Sequence, residues 1–157
     1  MFIASLRDSD GGQVAELQWK RMVEGMLKLG KMKNCLAVCD VSGSMSGKPM
    51  EVCVALGILV SELCDEPWKG KVITFNRDPA LHLIKGESLQ SKTDFIRRMY
   101  WGMNTDFQKV FDLLLQVAVN GKLKPENMIK RIFVFNDMEF DQASTKRWET
   151  DYEVGLH

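Results

Sequence analysis

Apolar and polar positions follow two different rhythms along this chain. Over residues 13–31 apolar side chains return every three to four positions, with Ala15, Trp19, Met22, Val23, Met26, Leu27 and Leu29 on one side and charges opposite. That spacing predicts an amphipathic helix, ended near Gly30. The run Cys35-Leu36-Ala37-Val38-Cys39 has no polar position, which suits a strand buried on both faces of a sheet. Pro49 is a favoured first helical residue, and residues 50–63 read as a buried helix. Residues 71–75 form a second predicted strand. The turn Asn76-Arg77-Asp78-Pro79 leads into a third, residues 80–84, expected as a hairpin partner at the sheet edge. Helices are predicted at 91–99 and 106–119, the second stopped by Asn120-Gly121. One helical turn is expected at 125–129, a fourth strand at 131–136, and a last helix at 142–153.

Strands that alternate with helices predict an α/β domain. Its expected form is Rossmann-like, a mostly parallel twisted sheet with helices on both faces. The 157 residues fit one domain with a real core. Residues 1–12, ending Asp8-Ser9-Asp10-Gly11-Gly12, are expected to be a flexible N-terminus. Residues 13–157 are expected to form the domain.

Charge removes some function classes. Lysine plus arginine and aspartate plus glutamate both number 21, for a formal net charge of zero. The net charge therefore exerts no long-range pull on nucleic acid or anionic lipid. Lys20, Arg21, Lys28, Lys31 and Lys33 crowd the N-terminal stretch, but Glu16 and Glu24 dilute them, and a solvated helix face accounts for them. No apolar run is long enough to cross a bilayer, and the first residues hold no secretory apolar core. A cytosolic location is expected, with the nucleus as the other compartment. The four cysteines agree with a reducing compartment. None has CxxC spacing, and with only His82 and His157 beside them a zinc site lacks ligands. They read as core filler.

In an open α/β sheet, ligands bind beyond the carboxyl ends of the strands. After the first predicted strand comes Asp40-Val41-Ser42-Gly43-Ser44. Alternate residues of an extended loop project to one side, so Asp40, Ser42 and Ser44 can converge. Asn104-Thr105-Asp106 opens the helix predicted at 106–119. After the fourth strand comes Asp137, with Glu139 and Asp141 beyond it; those last two fit a solvated loop. Carboxylates and hydroxyls of this kind suit a hard cation, Mg²⁺ first, with Mn²⁺ or Ca²⁺ as alternatives.

The segment Ala37-Val38-Cys39-Asp40-Val41-Ser42-Gly43-Ser44-Met45 resembles the opening of the metal-ion-dependent adhesion site (MIDAS) of von Willebrand factor A domains. Thr105 is similar to that family's second-loop threonine, and Asp137 to its third-loop aspartate. The stretch Val134-Phe135-Asn136-Asp137-Met138-Glu139-Phe140-Asp141 resembles a narrower branch. That branch is a plant and viral family with a von Willebrand A-like C-terminal half, related to TROVE/Ro-type RNA-binding proteins. The resemblance implies that Ser42, Ser44 and Thr105 supply hydroxyl ligands. It implies that Asp40 and Asp137 bind the ion or accept hydrogen bonds from its waters. It also implies an open coordination position for an Asp or Glu carboxylate of a protein partner, which leaves the ion electrophilic until the partner arrives. Against that family the chain is expected to lack the last C-terminal strands, so its fourth strand would be an exposed sheet edge open to self-association.

Catalytic readings fit less well. Gly43 to Pro49 resembles a P-loop but is one residue short between its glycines, and Pro49 replaces the Mg²⁺-binding hydroxyl. No Gly-x-Ser-x-Gly elbow is present, and His82 falls in the hairpin strand, away from the strand-end loops. The expectation is a non-enzymatic, cation-dependent protein-interaction module. The alternatives are a structural module with a vestigial site, or a Mg²⁺-dependent phosphoester hydrolase.

Overall fold

The computed structural model describes residues 9–39, 48–74, 78–99 and 106–135. Helix α1 spans Ser9–Lys28, strand β1 Cys35–Cys39, α2 Lys48–Leu63, β2 Lys71–Thr74 and β3 Ala80–Leu83. Helix α3 spans Leu89–Arg97, α4 Phe107–Asn120, a 3₁₀ turn Pro125–Asn127, and β4 Arg131–Phe135. The sheet order is β3-β2-β1-β4. β1 runs parallel to β2 and β4, and β3 pairs antiparallel to β2. The α/β class and the mostly parallel sheet read from the alternation of elements are therefore what the chain forms.

The unbroken apolar run of β1 is explained by its place. It has a strand on either side and helices over both faces, and all five of its residues are buried. On one face, Cys53 and Val60 of α2 meet Ala37, Cys39 and Val72. On the other, Val110 and Leu114 of α4 meet Leu36, Val38 and Ile73 around the buried Trp68. Each such fully buried aliphatic side chain contributes about 1.5–3 kcal/mol. Gly57 sits where α2 crosses the sheet most closely. A Cβ there would lie 2.5 Å from Cys39 Sγ, so only glycine admits this approach.

Helices α1 and α3 make a further layer over α2. Ala15, Trp19 and Val23, one turn apart along α1, join Val54, Ile58, Leu89 and Ile96. Polar bonds fix the layer. Trp19 Nε1 donates to Glu62 at 2.8 Å, Lys92 Nζ meets the other Glu62 oxygen at 2.7 Å, and Leu89 N donates to Glu16 at 2.5 Å.

Several boundaries differ from the sequence reading. α1 begins at Ser9, so residues 9–12, assigned above to a flexible start, are helical. Gly11 and Gly12 each cost about 1 kcal/mol in a helix, and the anchoring of Ala15 and Trp19 just beyond offsets that cost. α1 stops at Lys28, short of residue 31, and Gly30 takes a φ of 125° that suits glycine. α2 starts at Lys48, ahead of the predicted residue 50. α3 starts at Leu89 because Ser88 caps it, its side chain accepting from Ser91 N while Ser91 Oγ accepts from Ser88 N. The turn after α4 is 3₁₀ and ends at Asn127. Among the described residues no helix is long and apolar enough to cross a membrane. The helix predicted at 142–153 lies outside the described residues.

Candidate metal centre at the carboxyl end of the sheet

Parallel pairing aligns the ends of the three central strands. Cys39 stands beside Thr74 on one side and Phe135 on the other. Neighbouring strands lie about 4.8 Å apart, so the chain leaves β1 and β4 at adjacent points. Asp40 is the next residue after Cys39, and Asp137 is the second after Phe135. Helix α4 begins at the same end. Lys109, in its first turn, reaches Asp78 in the β2–β3 connection at 3.8 Å. Its N-cap is Asp106, whose carboxylate accepts from Gln108 N at 3.0 Å, and Thr105 is the residue before that cap.

Asp40, Ser42, Ser44, Thr105 and Asp137 themselves lie outside the described residues, as do Glu139 and Asp141. The described elements set the ends of β1 and β4 side by side and start α4 at the same end of the sheet, where Lys109 reaches Asp78. Among the described residues no group of three or more His, Cys, Asp or Glu is placed to hold a metal. The chemistry of the five candidates is all-oxygen, which fits Mg²⁺.

Thiols brace this end of the sheet, a role that composition alone did not single out. Cys53 Sγ donates to the carbonyl of Phe135 at 3.2 Å, and Cys39 Sγ to the carbonyl of Cys53 at 3.6 Å. The first turns of α2 are thereby tied to the last residues of β1 and β4. All four cysteines are buried and none forms a disulfide. Burial, helped by nearby Cys64 and opposed by Arg131, pushes the Cys35 thiol up from its ordinary value. A protonated, buried thiol is a poor nucleophile, so Cys35 reads as core.

The buried Thr74 ends β2, and its Oγ1 lies 3.2 Å from His82 Nε2. Burial lowers the His82 pKa, which favours the neutral ring at this hydrogen bond. His82 is half-buried in β3, as the hairpin pattern predicts.

Residues 34–155 match a family described as a domain of unknown function, DUF7788. An uncharacterized protein of Acanthamoeba polyphaga mimivirus is 45% identical over 150 residues, covering 96% of this chain. The chain spans about a quarter of that viral protein's length, 26%. No solved structure matches.

Proposed function

This chain belongs to the DUF7788 family, and we propose that it is a divalent-cation-dependent protein-interaction module of the von Willebrand A kind. The observation that carries this reading is the pairing of Cys39 with Phe135 at the same end of the sheet at which α4 begins. That arrangement starts the Asp40 and Asp137 segments from adjacent strands and leads the Thr105 segment into the same end. In the proposal Ser42, Ser44 and Thr105 hold Mg²⁺, while Asp40 and Asp137 bind it or its waters. An Asp or Glu of a partner protein completes the shell. With few protein carboxylates on the ion, its remaining charge is what draws the partner in.

Isothermal calorimetry with Mg²⁺ and Mn²⁺ tests the proposal, alongside thermal unfolding with and without either ion. The expected result is a single site whose occupancy raises the melting temperature, lost in Asp40→Ala and weakened in Thr105→Ala. Absence of binding at millimolar cation in the folded wild-type chain would overturn it. Turnover of a generic phosphoester, lost in Asp40→Ala, would replace it with a hydrolase.

A further inference from the structure

At the other end of the sheet, away from the Asp40 segment, the neutral chain gathers positive charge. Lys31 and Lys33 precede β1, Lys69 and Lys71 lead into β2, and Lys130 and Arg131 open β4. Lys85 follows β3, Lys28 ends α1, and Lys122 and Lys124 follow α4. Backbone bonds hold these connections together. Lys130 N and Arg131 N donate to the Asn34 carbonyl, Asp65 N to that of Met32, and Ile84 N to that of Gly70. Trp68 Nε1 also donates to the Asn127 carbonyl at 2.7 Å. All these cations are exposed except the half-buried Lys71, whose Nζ lies 5.8 Å from the Trp68 ring centroid.

The carboxylates of the connecting segments are Asp65, which pairs with Lys31 at 4.0 Å, and Glu66, Glu87 and Glu126; Glu62, in the last turn of α2, is held by Lys92 and Trp19. Because the whole chain is neutral, the rest of it carries a matching excess of acid. Helix dipoles do not account for the cations, although α1, α2 and α4 all end here. Lys28 lies in the last turn of α1, and the last turns of α2 and α4 hold no basic residue.

Three features decide what such a surface fits. All of its cations but Arg131 are lysines, point charges without the planar fork that suits paired contacts to nucleic-acid phosphates. Its one aromatic, Trp68, is buried, so it offers no platform for stacking bases. Leu29, expected on the apolar side of the first helix, instead lies just past the end of α1, between Lys28 and Lys31, and is 90% exposed. An apolar side chain flanked by Lys28 and Lys31 gains nothing from a nucleic acid, but it can enter the headgroup region of a bilayer. We propose that this pole docks the domain on an anionic membrane surface, its lysines facing lipid headgroups and Leu29 inserted between them. The opposite end of the sheet, where Asp40 follows β1, then faces away from the membrane.

Co-sedimentation of the full chain with vesicles of phosphatidylcholine alone, or mixed with phosphatidylserine, tests the proposal. Binding is expected only to the mixed vesicles. It should fall steeply between about 0.1 M and about 1 M salt, as the Debye length shrinks from about 10 Å to about 3 Å. Lys33→Ser with Lys130→Ser removes two exposed charges and should lower partitioning about fivefold for each, the equivalent of about 1 kcal/mol per lysine. Leu29→Ser should weaken vesicle binding while leaving every charge in place. Circular dichroism melting of each variant confirms that it is folded. No binding to the mixed vesicles, or unchanged binding by either folded variant, overturns the proposal. Tighter association with a duplex RNA, indifferent to Leu29→Ser, overturns it in favour of a nucleic acid.

Discussion

Replacing Gly57 by alanine sets two known effects against each other. In the middle of a helix such as α2 the change should stabilise by about 0.5–1 kcal/mol, because glycine has more backbone freedom to lose. Here the new Cβ would stand 2.5 Å from Cys39 Sγ and 3.7 Å from Val72 Cγ2. The first distance is more than an ångström inside ordinary carbon–sulfur contact. Cys39 lies on a strand buried on both faces, with both neighbouring strands paired to it. It has no open side to move toward. Overpacking of this kind costs about 1–3 kcal/mol, so Gly57→Ala should destabilise the fold by about 1–2 kcal/mol net. Cys39→Ala removes the sulfur and its bond to the Cys53 carbonyl, for about 1 kcal/mol of its own. The double variant should be more stable than the sum of the single changes predicts, by at least about 1 kcal/mol. Urea unfolding of the four proteins, with midpoints and slopes compared, measures this coupling. Gly57→Ala that stabilises by the full helix-propensity gain, or a double variant that is simply additive, would refute the close approach of α2 to β1.

Two other perturbations read different layers. Trp19→Phe keeps the ring in the α1–α2–α3 core but deletes the indole donor to Glu62. Lys92 and partial solvent contact still serve that carboxylate, so the cost should be about 1 kcal/mol in urea unfolding; a loss of several would mean that the ring's packing had changed. His82 gives a pH signature. Its pKa is lowered in the folded chain from 6.5 by burial, so the unfolded chain takes up the proton first. The stability this group confers is full above about pH 6.5 and is lost as pH falls through the lower folded value. His82→Asn should flatten the stability profile just below pH 6.5, read from urea midpoints at a series of pH values. An unchanged slope there would show that His82 titrates alike in both states.

How much of this was legible beforehand depended on whether a signal was local. β1 was readable because a strand buried on both faces leaves a continuous apolar run, Cys35 to Cys39. The edge position of β3, Ala-Leu-His-Leu, was readable from the turn signal Asn76-Arg77-Asp78-Pro79 that makes it a hairpin partner. Helix starts were missed where the stabilising partner was unusual. Ser91 at the third position of α3 does the work that a glutamate or glutamine does more often, and the pair Gly11-Gly12 hid the first turn of α1. Gly57 offered no signal, since a glycine within a helical pattern says nothing of which sulfur stands over it. The oxygens of the candidate centre are themselves a local pattern and were named from sequence. What the fold adds is the register that starts the Asp40 and Asp137 segments from neighbouring strands. The basic pole was only partly legible. Lys28, Lys31 and Lys33 stood out but read as a solvated helix face, and the other cations come from segments near residues 70, 85 and 125, which a net charge of zero averages away.

The two ends of the sheet can therefore carry separate duties. β1 is five residues long, and at about 3.3 Å per residue its ends stand about 13 Å apart. That exceeds the Debye length of about 8 Å at physiological ionic strength. Exposed lysines around Asn34 would thus have little effect on the energy of a cation bound beyond Cys39. Charge at the amino ends could then be selected for where the domain sits, while the oxygens beyond the carboxyl ends are selected for what it grips. The chain's neutrality then conceals a basic end balanced by acid elsewhere in the sequence.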